Sequence, residues 1–420
     1  MKHTFIMNLL LLLLFSCGNG VSNVQTNKIK NDTTSYSYKK DGILYLDLKS
    51  AKDKKVDINL SDICDSVIYI PLETKKNCLF TRLNQIEIDN QSVFIQSGWS
   101  LFRFDISGKF LNQYGKTGRG PGEYVCGGFC LDKKNKIVYP STIYRNKRYK
   151  YTYGGEFLKS FPKESNTYAC YQTYYNPQKN TFVNTSMYYI FSRKECGVDG
   201  NQILISEVDK LGDFENIIYS RYFTSETFNI RDKCSSVYPI SNMYIYNDSR
   251  IMVSEMSNDT LFEYKKNKLH PKVILNNKEF RTKLKAETFC NVKNKRKNRM
   301  SKIIEIIKKN SYSIVVNESI RYMFLSSLDG LEYIYDKVED KLRCVKINQD
   351  IDDLGNVDFT SVINNKYFYK KINADKFIEL AEKFLKSDKC SDKYKSKLKS
   401  VLGKIDEESN PVIILYRIRS

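Results

Sequence analysis

The sequence predicts an all-β chain folded as a six-bladed β-propeller, and three observations point there. Residues 101–124, LFRFDISGKFLNQYGKTGRGPGEY, hold two short apolar strands around a polar turn and end in a Gly/Pro-rich loop. The design returns at Arg148–Tyr153, Gly154-Gly155-Glu156 and Phe157–Phe161, roughly forty-odd residues on, the period of a propeller blade. Thirty-one Tyr and twenty-three Phe suit β structure.

The chain starts with a leader rather than with the fold. Lys2 and His3 precede an apolar run from Phe5 to Phe15 with six consecutive leucines, Leu9 to Leu14. The run is too short to span a bilayer and reads as a secretion signal over residues 1–16. It stops at Leu14-Phe15-Ser16-Cys17-Gly18, which resembles a bacterial lipobox, with acylation of Cys17 expected. Two or three acyl chains on one Cys hold a protein stably on a bilayer. Residues 17–55 are rich in Asn, Ser, Thr, Lys and Asp, with one apolar patch at Ile43–Leu46, and read as a flexible tether. The propeller is expected over 56–420.

Asp65 to Glu73 is a strand closed by Pro71. The first blade runs from about Leu79 to Tyr114, with strands at Ile86–Asp89, Ser92–Gln96, Leu101–Asp105 and Phe110–Tyr114 and turn chemistry at Asp89-Asn90 and Ser107-Gly108. The second covers about Tyr124–Phe161, and a looser third about Tyr168–Tyr222. The fourth, about Tyr244–Leu275, carries Arg250–Ser254, Thr260–Tyr264 and Pro271–Leu275. The fifth, Tyr312–Ile347, and the sixth, from about Val357, complete the count. Two helical insertions interrupt it, at about 278–310 and 374–402. The first has Ile303, Ile304, Ile306 and Ile307 at helical period and a basic cluster at Lys293, Lys295, Arg296, Lys297 and Arg299; the second lines up Phe377, Leu380, Ala381, Phe384 and Leu385. The chain ends in the apolar strand Pro411–Ile418. An apolar edge needs a partner, and pairing with Val67–Leu72 would close the ring.

These elements resemble a 6-bladed β-propeller family of lipoproteins from Gram-negative anaerobic bacteria. The matching stretches are Ile68–Thr74, Phe104–Leu111, the loop Gly115–Tyr124, Asn258–Leu261 and Asn410–Ile413. The resemblance implies NHL-like blades and leaves activity open, since most members have none established.

After the leader, His270 is the single histidine, so zinc sites, Ser-His-Asp triads and Cys-His pairs lack their imidazole. No catalytic residue, metal ligand or cofactor is assigned. Cys126 and Cys130 have no second Cys pair or histidine beside them; apart from Cys17, the cysteines read as buried free thiols, with disulfides open to them in an oxidising compartment. The loop at 115–124 has no GK[ST] ending and does not lead into a helix, so its glycines read as the crossing between blades. Arg119, Glu123 and Tyr124 are the candidate binding residues on it. The net charge of +20 reads as a solvated surface on an exported chain, with nucleic acid excluded as a partner.

The functional expectation is a lipid-anchored binding or scaffold module, monomeric, in the cell envelope and facing the periplasm. Its partners are the bacterial membrane, through acylated Cys17, and a small solute, glycan or protein ligand. The alternative is a metal-independent hydrolase or lyase acting on envelope or dietary saccharides through carboxylates such as Asp352-Asp353.

Overall fold

The computed structural model describes residues 35–80, 82–118, 123–142, 147–162, 170–186, 201–208, 214–222, 241–246, 250–255, 259–266, 268–275, 314–327, 330–387 and 392–420. The folded unit spans Ser35–Ser420. It is all-β apart from short helices, as expected.

Sheet 1 is built from Leu83–Asp89, Ser92–Ser97, Ser100–Asp105 and Phe110–Gln113, in sequence order. Asn90 takes φ 50° at its first hairpin, a left-handed position that Asn tolerates. Sheet 2 is Cys126–Asp132, Ile137–Thr142, Lys147–Thr152 and Phe157–Pro162. Sheet 3 is Cys170–Asn176, Thr181–Ser186, Asn201–Val208 and Phe214–Tyr222. Sheet 4 contains Ser241–Tyr246, Arg250–Glu255, Thr260–Lys265 and Lys268–Leu275, and sheet 5 contains Ile314–Glu318, Tyr322–Ser327, Glu332–Asp336 and Lys341–Asn348. Within each of these five sheets, sequence neighbours pair antiparallel.

Sheet 6 joins the two ends of the fold. Its order is Val362–Ile363, Tyr367–Ile372, Val412–Ile418 and Cys64–Pro71. The last two strands run antiparallel in the register Val67↔Tyr416, Tyr69↔Ile414 and Pro71↔Val412, the pairing that the apolar terminal strand required.

Apolar seams join the sheets face to face. Sheet 6 meets sheet 1 through Ile70, Ile413 and Leu415 against Ile86, Ile95 and Phe102. Phe94 and Leu101 pack on Val138 and Tyr149 between sheets 1 and 2, and Tyr139 and Phe161 on Tyr175 and Phe182 between sheets 2 and 3. Met252 and Leu261 meet Met323 and Tyr335 between sheets 4 and 5, and Phe324 and Val345 meet Phe368 and Ile414 between sheets 5 and 6. Between sheets 3 and 4 the described contact is polar: Glu207 accepts from Lys179 at 2.7 Å and from the Tyr264 hydroxyl at 2.6 Å.

Five blades of a propeller are detected in this arrangement, and the expected six are not supported. Strand clusters in a sequence count sheets, whereas a blade is defined by how a sheet packs on its neighbours.

The N-terminal part of the fold corrects a second expectation. The tether anticipated over 17–55 is folded from Ser37 onward. Ser37–Lys40 and Ile43–Leu46 form a hairpin about Asp41 and Gly42, both at positive φ. Ile43–Leu46 then adds in parallel to Lys268–Leu275 at the edge of sheet 4. Helix α1, Leu48–Lys52, is capped by Asp47, whose carboxylate accepts the Ser50 amide at 3.0 Å. Val56–Asn59 adds in parallel to Lys341–Asn348 of sheet 5, and α2, Leu60–Ile63, leads into sheet 6. The segment thus covers two sheet edges that would otherwise stay open.

The insertion anticipated at 374–402 is present as α3, Ala374–Leu385, and α4, Asp392–Leu402. Phe377, Ala381 and Phe384 bury one face of α3, and Phe377 meets the Tyr69 ring edge-on at 6.0 Å. The insertion anticipated at 278–310 lies outside the described residues.

Candidate functional site

The glycine loop folds back on itself. Lys116-Thr117 pairs in parallel with Glu123-Tyr124, and the Gly118 amide donates to the Tyr124 carbonyl at 3.3 Å. Gly115 sits at φ 63°, and a Cβ there would lie 2.5 Å from the Tyr124 ring. A Cβ on Gly118 would lie 1.9 Å from the Glu123 carboxylate. Gly115 is required there by its positive φ and by the buried Tyr124 ring, whereas the contact at Gly118 is with the movable end of the Glu123 side chain.

The three candidate residues separate. Tyr124 is buried; its hydroxyl donates to the Tyr114 carbonyl at 2.6 Å and its ring stacks on Tyr149 at 4.9 Å. Burial pushes that hydroxyl well above the ordinary tyrosine range. Tyr124 is therefore a core residue, which corrects its assignment to a binding surface. Glu123 is half-buried, with its carboxylate against Gly118. Arg119 and Cys17 lie outside the described residues.

The structure places beside this loop a residue that the sequence reading passed over. Trp99, the one tryptophan of the chain, is 51 % exposed at the tip of the hairpin between the second and third strands of sheet 1. Its backbone is held on several sides. The Trp99 carbonyl accepts the Cys126 amide at 3.0 Å and the Thr117 hydroxyl at 3.3 Å. The preceding Gly98, at φ 56°, donates its amide to the Arg82 carbonyl at 2.9 Å. Thr117 and Ser100 join their hydroxyls at 2.7 Å. A fixed backbone thus presents a large aromatic ring to solvent, next to the loop that carries Arg119 and Glu123. The available signal was its singularity, together with its place after a glycine in a two-residue hairpin turn.

The carboxylate pair Asp352-Asp353 is not a dyad. Asp352 is fully buried and accepts the hydroxyls of Tyr69 at 2.9 Å and Tyr416 at 3.0 Å and the Leu354 amide at 3.2 Å. Asp353 is exposed at φ 52°. Glycosidases need two carboxyl groups converging on one bond, and adjacent residues on opposite sides of the surface do not converge.

A displaced carboxyl elsewhere is Glu332, raised to about 7 by burial first and then by Asp358, with Lys55 opposing. A carboxyl whose folded value exceeds its unfolded one holds a proton that the unfolded chain has lost. Its contribution to stability is therefore full below about 4.5 and falls as pH rises through about 7. Melting temperature followed from pH 4.5 to 8 should decline more steeply in wild type than in Glu332→Gln, and parallel profiles would refute this.

Among the described residues no group of three or more His, Cys, Asp or Glu is arranged to hold a metal ion. Cys64, Cys78, Cys126, Cys130 and Cys344 are buried free thiols, and burial raises Cys126 and Cys130 to about 12. No described helix is long and apolar enough to cross a membrane.

No curated protein matches this chain. Among solved structures, a Bacteroides fragilis protein designated an exported protein is similar over 87 % of this chain and 98 % of its own, with 19 % identity and a TM-score of 0.61. That likeness shows the fold. A Bacteroides vulgatus member of the DUF4221 family covers 85 % of this chain and 97 % of its own at 9 % identity, with a TM-score of 0.41. Residues 44–417, from the strand that edges sheet 4 to the terminal strand of sheet 6, match a single family; the chain belongs to the DUF4934 family, described as a domain of unknown function.

Proposed function

We propose that this protein is a lipid-anchored envelope module that binds a glycan or protein partner through Trp99 and the adjoining Glu123, with Arg119 of the same loop as a further contact. The single observation that carries this reading is the exposed Trp99 ring on a backbone held by Cys126, Thr117 and Arg82. An aromatic ring fixed before binding loses little entropy on contact, and such residues dominate interfaces and stack on sugars. The leader-like run before Cys17 and the exported designation of the Bacteroides fragilis neighbour support placement beyond the cytoplasmic membrane. In this reading acylated Cys17 holds the protein on the membrane, facing the periplasm, and the protein acts as a monomer.

The test is a glycan array and an envelope-extract pull-down with the full chain and Trp99→Ala. Loss of an exposed hot-spot aromatic should cost at least about 2 kcal/mol, a more than ten-fold drop in affinity, with the melting temperature unchanged. Ligands retained at wild-type affinity by Trp99→Ala would remove the site. Membrane partition of Cys17→Ser equal to wild type would remove the anchor.

A further inference from the structure

Five of the buried carboxylates among the described residues are paired with cations. Asp89 meets Lys136, Glu207 meets Lys179, Glu263 meets Arg250, Glu318 meets Lys337 and Asp336 meets Arg321, all within 2.9 Å. Arg148 departs from this pattern. Its side chain is among the largest fully buried ones, with 2 % of the residue exposed, and among the described residues no carboxylate pairs with it. Its Nη2 donates to Asn184 Oδ1 at 3.5 Å, a long contact, and its Nε–H has no acceptor. The guanidinium carbon lies 3.8 Å from the Phe182 ring centre. Cys130, the nearby thiol, is held neutral at pH 7 by burial, so it supplies no counter-charge.

A buried guanidinium with an unmade hydrogen bond and, among the described residues, no ion-paired carboxylate carries a desolvation cost that ring contact only partly offsets. We propose that Arg148 anchors a binding site for the carboxylate of a small organic acid or acidic sugar, in the seam between sheets 2 and 3. The planar fork of arginine matches the two oxygens of a carboxylate, and one positive charge balances a monoanion. Asn184 Oδ1, which also accepts the Thr173 hydroxyl at 3.0 Å, holds the guanidinium from one side and leaves Nε–H for the ligand. Phe182, against the guanidinium, belongs to the packed aromatic cluster it forms with Tyr139, Phe161 and Tyr175. Arg148 is the second residue of its strand, next to exposed Lys147. This site is independent of Trp99.

The test is thermal unfolding of the full chain in acetate or glucuronate against chloride at matched ionic strength, in wild type, Arg148→Met and Arg148→Lys. Carboxylates should raise the wild-type melting temperature. Arg148→Met should abolish that rise while melting in chloride no lower than wild type, since it removes a buried charge. Arg148→Lys, which keeps the charge and loses the fork, should bind at least ten-fold more weakly. A carboxylate-specific rise that survives in Arg148→Met, its absence from wild type, or an equal rise with sulfate or phosphate would overturn the proposal. If Arg148→Met does not fold, wild-type affinity in Arg148→Lys would overturn it.

Discussion

A chain that ends at Ser409 is expected to aggregate rather than persist as a folded monomer. The strand Val412–Ile418 lies inside sheet 6, between Tyr367–Ile372 and Cys64–Pro71. Its alternation serves two seams at once: Val412, Ile414, Tyr416 and Ile418 face the core shared with sheet 5, and Ile413 and Leu415 face the core shared with sheet 1. All six side chains are buried. At about 1.5–3 kcal/mol for each buried side chain, their loss removes roughly 9–18 kcal/mol. Domains are stable by about 5–15 kcal/mol in total, so the remainder does not stay folded. Two apolar strand edges are exposed in the same step, which favours pairing between chains. Size-exclusion chromatography with light scattering and binding of a hydrophobic dye would read the outcome. A dye-negative monomer would show that closure of sheet 6 does not hold the fold together.

The second large effect is expected at Asp352, where alanine and asparagine should behave differently. Asp352→Ala removes the buried acceptor that the hydroxyls of Tyr69 and Tyr416 and the Leu354 amide share. Each unsatisfied group costs about 1–3 kcal/mol, so a loss of roughly 3–9 kcal/mol is expected for the three. Asp352→Asn keeps an acceptor oxygen and the shape of the side chain, and should retain most of the stability at neutral pH.

The pH dependence separates them further. Burial raises the Asp352 carboxyl, against the pull of the Leu354 amide and the two tyrosines. The native state therefore holds a proton that the unfolded chain has already released. Stability from this group is present below the unfolded value and is lost as pH rises through the folded one. Asparagine does not ionise and should flatten that slope. Urea unfolding midpoints at several pH values would check this. Equal midpoints for Asp352→Ala and wild type, or for Asp352→Ala and Asp352→Asn, would refute the network.

What the sequence by itself determined is the local part of this protein. Period-two apolar runs and their turns, such as Ile86–Asp89 with Asn90 or Thr260–Tyr264, encode hairpins that form between neighbours, and they placed strands in all six sheets. The pairing of Val67–Leu72 with the terminal strand was also legible, because two long apolar strands at opposite ends had nothing else to cover them. The tertiary structure decided everything that depends on approach between distant segments. Ile43–Leu46 is too short to be read as more than an apolar patch, and it becomes a strand only when Lys268–Leu275 lends it a parallel edge. Tyr124 and Trp99 are both aromatic residues beside one loop. Gly115 gives the first a slot against Tyr149, and the hairpin tip leaves the second in solvent. Asp352 and Asp353 are adjacent in the chain, yet Tyr69 and Tyr416, hundreds of residues apart, enclose only one of them. Burial, and with it the pKa of a carboxyl or the reach of a guanidinium such as Arg148, is a property of what packs around a side chain, which is set by chain segments that its own sequence neighbours do not encode.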